Sequence, residues 1–208
     1  NTVIDALLHA ATQRSPIADV RLQALMDSGR PVLLVTTHRR ENWGPTMEGI
    51  GRALRRLALA FPEQVIVLPA HRNPVVRESL LPRLHGLPNV LVTEPLPYAD
   101  FTQVLARSHL VLTDSGGVQE EAPSLGKPVL VMRANTERPE AVSAGTVRLV
   151  GTDEDRLVRE VSTLVTDRAA YDLMSNAVNP YGDGGAAARV CAAVRAFFGH
   201  GERMPDFA

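Results

Sequence analysis

Several residue types are scarce in this sequence of 208 residues. Cysteine occurs once, as Cys191, which excludes an internal disulfide and a cysteine-based metal cluster. Aromatic residues make up 4% of the chain, and Lys127 is the only lysine among 22 lysines and arginines. The scattered arginines form no basic stripe interleaved with aromatics, so we expect no nucleic-acid partner. The near absence of cysteine favours a reducing compartment, and we expect a cytoplasmic protein.

Long apolar runs are also absent. None approaches the roughly 20 residues that a membrane-spanning helix needs, so we expect no membrane partner. Residues 1–8 have the spacing of a short amphipathic helix rather than the pattern of a signal peptide. The sequence starts with Asn1 rather than Met, and we expect it to begin within a longer protein. With 45% apolar residues and a net charge of −1, the chain can bury the core of one large domain.

Apolar runs typical of buried strands alternate with helical spacings along the chain. The strand-like runs cover 32–37, 65–70, 89–93, 109–113, 128–132 and 145–150. The helical spacings cover about 47–61, 75–84, 98–108, 115–125, 154–166 and 169–176. Nearly continuous apolar strands separated by helices are typical of a parallel sheet covered on both faces. The sequence therefore predicts an α/β fold, a Rossmann-like parallel sheet sandwiched by helices.

The predicted domain occupies residues 1–208, with lead-in helices over 1–30 and a terminal helix and tail over 184–208. The terminal helix carries a row of apolar side chains on one side: Val190, Cys191, Val194, Phe197 and Phe198. Such a row near the end of a chain predicts packing against a segment that this sequence lacks.

A small polar turn with two glycines follows the fourth predicted strand and leads into a helix. Ser115 is the predicted N-cap, and the free amides of Ser115, Gly116, Gly117 and Val118 would point out of the positive end of the helix. Glycines without Cβ let a phosphate come close to the backbone. Glu121, about a turn and a half further on, could accept hydrogen bonds from both hydroxyls of a ribose. The turn suits a nucleoside diphosphate, although Ser115 could simply cap and the glycines simply turn.

Other polar loops follow the predicted strands at the same edge of the sheet. They contain His38, His71 and residues 133–138, and they join Ser115 at the carboxyl ends of the strands, where ligands bind in such folds. No G-x-G-x-x-G follows the first strand, which argues against NAD or FAD. The convergence of these loops favours a phosphate-bearing ligand at this rim.

Three runs closely resemble the non-hydrolysing UDP-N-acetylglucosamine 2-epimerases: Thr-Thr-His-Arg-Arg-Glu-Asn at 36–42, the stretch from Leu-Thr-Asp-Ser-Gly-Gly to Lys-Pro-Val-Leu at 112–130, and Thr-Glu-Arg-Pro-Glu-Ala at 136–141. The resemblance covers the whole chain but only the carboxyl-terminal domain of that family, whose two-domain fold is called glycosyltransferase B. It implies that the nucleotide lies mainly on this domain, and that a missing amino-terminal domain supplies the carboxylates acting at C2 and C3 of the sugar.

The resemblance also implies roles for residues of the UDP site. Glu121 would hold the ribose, and Ser115, Gly116 and Gly117 the diphosphate. The uracil would lie near Phe101, unless Phe101 is simply a core residue.

Further roles are implied for the rim. His38 would be catalytic at the departing diphosphate, against the alternative of a loop histidine that packs on the strand end. Arg138 would contact phosphate or sugar, or else form a surface ion pair. His71 and Arg39, with Asn73 in the same loop as His71, lie where some bacterial members bind a second UDP-sugar as activator.

The activity implied is reversible epimerisation of UDP-N-acetylglucosamine at C2 to UDP-N-acetylmannosamine, through elimination and re-addition of UDP. It needs no metal and no cofactor, and the full-length protein would be a homodimer. The alternatives are a UDP-sugar glycosyltransferase, a hydrolysing 2-epimerase and a non-catalytic nucleotide-sugar-binding module. The isolated domain is expected to be inactive.

Overall fold

The computed structural model describes residues 1–13 and 15–207. Positions 14 and 208, which the predicted domain range includes, lie outside the described residues. In the described part, six strands form one parallel sheet in the order β3-β2-β1-β4-β5-β6. The strands are β1 Val32–Thr36, β2 Val65–Pro69, β3 Val90–Thr93, β4 Leu110–Thr113, β5 Val129–Val131 and β6 Val147–Leu149. The predicted α/β class and parallel sheet are confirmed, and each strand is one to three residues shorter than its apolar run.

Helices connect the strands and cover both faces of the sheet. They are α1 Thr2–Thr12, α2 Val20–Asp27, α3 Pro45–Ala60, α4 Pro74–Leu84, α5 Tyr98–Arg107, α6 Gly116–Glu121, α7 Pro139–Ser143, α8 Glu154–Thr166, α9 Arg168–Ser175 and α10 Ala186–Phe197. Helix α7 and a 3-10 turn at Arg40–Asn42 were not predicted, because each is too short to show an apolar period. None of the helices within 1–13 and 15–207 has the length and apolar character to cross a membrane.

The helix after β4 is shorter than expected. It is α-helical only to Glu121 and then tightens into a 3-10 turn over Ala122–Leu125. Pro123 lacks the N–H that would continue the α-helical ladder, and Gly126 closes the turn in the left-handed region with φ of 66°.

Side chains of each strand alternate between two buried clusters, one on either face of the sheet. Leu33 and Val35 pack in the first cluster with residues of α3, α4 and α8. Leu34 packs in the second with residues of α1, α2 and α5. Because both faces are buried, the strands read as continuous apolar runs rather than alternating ones.

The strand order reverses between β1 and β4. The chain moves outward from β1 to β2 and β3, then returns to place β4 on the other side of β1. Thr36 and Thr113 pair in register at the carboxyl ends of these two strands. Open α/β sheets bind ligands in the crevice at such a switch point.

Helix α10 is joined to α1 at its start. Asp5 accepts hydrogen bonds from the amides of Ala186 and Ala187, at 3.2 and 2.8 Å. No residue of α10 is buried, and Phe197 and Phe198 are 84% and 67% exposed. Among the described residues, the apolar side of this helix is therefore largely exposed at Phe197 and Phe198, while Cys191 lines a cavity with residues of the tail between 200 and 204.

Candidate functional site

A cavity of about 290 Å³ opens at the switch point between β1 and β4. Its lining comes from the end of β1 and the loop after it, from the start of α5, and from α6 with its N-cap: Thr36, His38, Tyr98, Phe101, Ser115, Gly117, Val118 and Glu121. This set brings together His38, Phe101, Ser115, Gly117 and Glu121 of the predicted site residues. Gly116 and Arg138 lie beside it, and Arg39, His71 and Asn73 lie further along the rim.

Ser115 is the N-cap of α6, as predicted. Its hydroxyl oxygen accepts from the amide of Val118 at 3.5 Å, while its own amide donates to the Thr113 hydroxyl at 2.9 Å. The expectation of four free amides is therefore wrong, because Ser115 and Val118 already have acceptors within the turn. The amides of Gly116 and Gly117 remain for a ligand.

The two glycines have different surroundings. A Cβ on Gly117 would meet nothing within 4 Å, so the space above this amide is open. A Cβ on Gly116 would lie 2.7 Å from Nη1 of Arg138, because the guanidinium covers that position. Arg138 also donates through Nε to Glu120 at 2.6 Å. Arg138 therefore forms an ion pair, which was the alternative to a ligand contact in the sequence interpretation. Its guanidinium also lies over the start of α6.

The loop that carries Arg138 is fastened to α6. Gln119 is fully buried, donates to the Ser115 carbonyl at 2.9 Å and accepts from the Thr136 hydroxyl at 2.7 Å. Buried Arg133 donates to both carboxylate oxygens of Glu137 at 2.7 and 2.8 Å, which lowers the pKa of Glu137 to about 2. These contacts hold the two residues that precede Arg138 in the loop.

Glu121 is a buried carboxylate at the back of the cavity. Burial raises its pKa, and a hydrogen bond from the Tyr98 hydroxyl at 2.9 Å opposes that shift. Burial and the Glu121 charge together raise the pKa of Tyr98 to about 12, so the phenol stays a donor. Tyr98 was not predicted as a site residue, although its spacing of three from Phe101 puts both on one face of α5.

Phe101 combines the two roles that the sequence left open. Its ring is partly buried against the cluster on the α5 face of the sheet, and it also lines the cavity. The same side chain can thus support the core and offer a flat apolar surface to a base.

Asp114 organises the loop after β1, and sequence reasoning assigned it no role. Its side chain is 0% exposed and accepts from the Thr37 hydroxyl at 2.9 Å, from the amides of His38 and Arg39 at 3.0 Å each, and from the Asn42 amide group at 3.1 Å. Burial by itself would raise the pKa of Asp114, but the His38 imidazole and the backbone amides hold it below its usual range. A carboxylate directly after a buried strand at the ligand edge was the signal that could have identified it.

The His38 ring lies between Asp114 and the cavity. Its Nδ1 is 3.2 Å from Oδ1 of Asp114, which raises the pKa of His38, and its side chain is 45% exposed. The ring stacks on His71 with centroids 5.9 Å apart. His71 accepts at Nδ1 from the amide of Asn73 at 3.2 Å, and the Asn73 side chain caps α4. His71 and Asn73 therefore contact the site through His38 rather than through the cavity.

Two further features bear on what this rim can bind. Arg39 is engaged with Glu41 at 3.2 Å and does not line the cavity. Within residues 1–13 and 15–207, no group of three His, Cys, Asp or Glu side chains is arranged to hold a metal ion.

The fold and the rim define a class, the Rossmann-like α/β domain with the 3-2-1-4-5-6 strand order and a polar crevice at its switch point. A family profile described as UDP-N-acetylglucosamine 2-epimerase matches residues 1–195. The chain belongs to the UDP-N-acetylglucosamine 2-epimerase family.

Similar proteins agree with this assignment. A protein of Ralstonia nicotianae named probable UDP-N-acetylglucosamine 2-epimerase is 52% identical over 203 residues, covering 95% of this chain and 54% of its own length. The crystal structure of a Listeria monocytogenes protein described as a UDP-N-acetylglucosamine 2-epimerase superposes with a TM-score of 0.91 at 42% identity, covering all of this chain and 55% of that one. The Neisseria meningitidis UDP-GlcNAc 2-epimerase bound to UDP-GlcNAc has a TM-score of 0.84 at 40% identity, with 94% and 54% covered. The chain thus spans about half the length of the relatives it matches.

Proposed function

We propose that this chain supplies the UDP site of an enzyme that interconverts UDP-N-acetylglucosamine and UDP-N-acetylmannosamine by inverting C2. The main observation behind this proposal is the crevice between β1 and β4. One cavity there is lined by Ser115, Gly117, Glu121 and His38. The family membership of the chain and the UDP-GlcNAc bound to the Neisseria relative support the choice of nucleotide sugar.

Each part of UDP has a partner in this arrangement. Glu121 accepts from the ribose hydroxyls, and the ring of Phe101 lies beside the uracil. The amides of Gly116 and Gly117 donate to the diphosphate at the positive end of α6, with the Arg138 guanidinium beside them. A crevice that binds a nucleoside diphosphate this way needs no metal from the protein.

The reaction proceeds by elimination and return of UDP. The proton at C2 leaves, the C1–O bond breaks with its electron pair going to the phosphate oxygen, and a 2-acetamidoglucal remains. UDP then adds back after a proton arrives at the opposite face of C2. His38 donates to the departing oxygen, and α6 stabilises the charge that develops on the diphosphate.

Three further features belong to the same proposal. The amino-terminal half, which holds the sugar and its carboxylates, packs on the uncovered side of α10 around Phe197 and Phe198. His71, Arg39 and Asn73 border a second UDP-sugar that acts as activator. The full-length enzyme is a homodimer in the cytoplasm.

The test is product analysis of the full-length protein with UDP-N-acetylglucosamine. UDP-N-acetylmannosamine supports the proposal. Free N-acetylmannosamine with UDP would instead indicate a hydrolysing epimerase, transfer of sugar to an acceptor would indicate a glycosyltransferase, and binding without turnover would indicate a nucleotide-sugar-binding module.

A further inference from the structure

Asp114 is immobilised by more contacts than an N-cap or a surface ion pair would need. One carboxylate oxygen, Oδ2, accepts from the Thr37 hydroxyl, from the amides of His38 and Arg39, and from the side chain of Asn42. The other, Oδ1, is 3.2 Å from Nδ1 of His38 and also accepts from the amide of His38 at 3.2 Å. The carboxylate therefore has a fixed position, and it contacts the imidazole of His38, which lines the cavity.

We propose that Asp114 is the positioning residue for His38. Its carboxylate accepts a hydrogen bond from the Nδ1–H of the ring, and this contact directs Nε2 toward the departing phosphate oxygen. This inference rests on the proposed function for its chemistry, but the geometry it concerns lies wholly within this chain. Asp114 is buried behind the loop, so it acts through His38 and does not touch the nucleotide.

The proton balance follows from this arrangement. When UDP leaves, the electron pair of the C1–O bond passes to the phosphate oxygen and the Nε2 proton of the imidazolium moves to that oxygen. The neutral ring keeps its proton on Nδ1, facing Asp114. When UDP returns, the proton goes back to Nε2. A neutral ring with its proton on Nε2 would turn the lone pair of Nδ1 toward Oδ1 at 3.2 Å, so Oδ1 would lose the ring donor and keep the amide of His38.

Other groups face the His38 ring and set its protonation together with Asp114. Arg39 lowers the pKa of His38 and Glu41 raises it, while His71 stacks on the ring. The net shift is upward, in the direction of the imidazolium that serves as donor.

His71 provides an internal control. Because its Nδ1 accepts from the amide of Asn73, neutral His71 carries its proton on Nε2, the usual form for a histidine. The two stacked histidines are therefore expected to have opposite tautomers. Long-range proton–nitrogen NMR correlations identify the tautomer of each ring in the uniformly nitrogen-15-labelled 208-residue chain. The variants His38→Gln and His71→Gln assign the signals.

The expected result is Nδ1–H for neutral His38 and Nε2–H for neutral His71. Nε2–H for both rings would overturn the proposal, and this measurement needs no change at Asp114. If Asp114→Asn folds, it should lower the pKa of His38, and unchanged His38 titration in the folded variant would also overturn the proposal.

Kinetics of the full-length enzyme separate positioning from binding. Asp114→Asn should lower kcat by at least about tenfold with little change in KM, and the loss of activity on raising the pH should begin at lower pH than in the parent. The exposed Asp27→Asn serves as the matched control and should match the parent. A variant with parental kcat and pH profile would contradict the positioning role. Failure to bind UDP with the expected tautomers intact would instead contradict the proposed function alone.

Discussion

The Tyr98 phenol donates a hydrogen bond of 2.9 Å to Oε1 of Glu121, joining the first residue of α5 to the last residue of α6 across the cavity. This contact holds a buried carboxylate in place and opposes the rise in its pKa that burial causes. The crevice is therefore supported by α5, an element outside the turn that is proposed to bind the nucleotide.

Removing that phenol should change how UDP binding depends on pH. In Tyr98→Phe the pKa of Glu121 should rise above its already raised value, because burial remains and the opposing hydrogen bond is lost. The charged carboxylate is the better ribose acceptor, so on acidification the variant should lose UDP affinity at a higher pH than the parent. Calorimetric titrations over a pH series measure this. Parallel profiles would show that Tyr98 does not set the ionisation of Glu121.

The two glycines at the start of α6 should respond differently to alanine. At Gly117 nothing within 4 Å opposes a Cβ, so Gly117→Ala should stabilise the ligand-free fold by up to about 1 kcal/mol through helix propensity. The added methyl group would nevertheless project into the space assigned to phosphate, and UDP binding should weaken. Thermal unfolding with and without UDP tests both effects.

At Gly116 the methyl group would instead displace the Arg138 guanidinium. Gly116→Ala should therefore weaken UDP binding without the gain in stability. If Gly117→Ala is more stable than the parent and binds UDP equally well, the diphosphate does not bind at this helix start.

Much of this site was accessible from the sequence because one short run encodes it. The β-forming residues before Asp114, the cap at Ser115 and the glycines after it predicted strand, turn and helix in the right order, and the structure has them. The parallel sheet followed from the continuous apolar strands.

The supporting contacts were not accessible, for a physical reason. The pairs Tyr98–Glu121 and His38–Asp114 join residues 23 and 76 positions apart. They depend on strand order and side-chain direction, which no local period records. The bond from the amide of Ser115 to the Thr113 hydroxyl is local, and it was missed for a different reason, the assumption that a helix start has free donors.

His38 should matter more for turnover than for binding. If the full-length protein has the proposed activity, His38→Ala should lower its kcat by about 10²- to 10⁴-fold, the usual contribution of a proton donor, and change UDP affinity far less. A donor to a leaving group acts mainly as charge develops in the transition state. Equal losses in kcat and in affinity would make His38 an ordinary phosphate contact.

The 208-residue chain alone should not exchange the C2 proton of UDP-N-acetylglucosamine with solvent. Its carboxylates near the crevice are already engaged, since Glu120 pairs with Arg138, Glu137 with Arg133, and Glu121 with Tyr98. Without the other half of the protein, no positioned base reaches C2 and water enters the site. Deuterium incorporation at C2, followed by NMR, measures this. Exchange above the buffer rate would mean that this chain carries its own base, and Glu120 and Glu137 would be mutated first.

The proposed ribose contact of Glu121 predicts opposite effects of one substitution on UDP binding and on stability. Burial raises the pKa of Glu121 in the folded chain, so the charged carboxylate lowers the free energy of unfolding at pH values above that pKa. The cost disappears at pH values below the ordinary glutamate pKa, because Glu121 is then protonated in both the folded and the unfolded chain. Glu121→Gln should thus raise the Tm of the ligand-free chain at neutral pH and leave it unchanged in acid. The exposed Glu63→Gln, at the opposite end of the sheet, is the matched control.

The most direct test is calorimetric titration of the 208-residue chain with UDP at neutral pH, comparing the parent with Glu121→Gln and Glu63→Gln. Because the proposal places base, ribose and diphosphate in the crevice between β1 and β4, the parent and Glu63→Gln should bind UDP with one site and equal affinity. Glu121→Gln should bind more weakly by about 1–3 kcal/mol, the scale of a lost hydrogen bond to a charged acceptor. No binding by the parent, or equal binding by all three proteins, would contradict the assignment of the UDP site to this crevice.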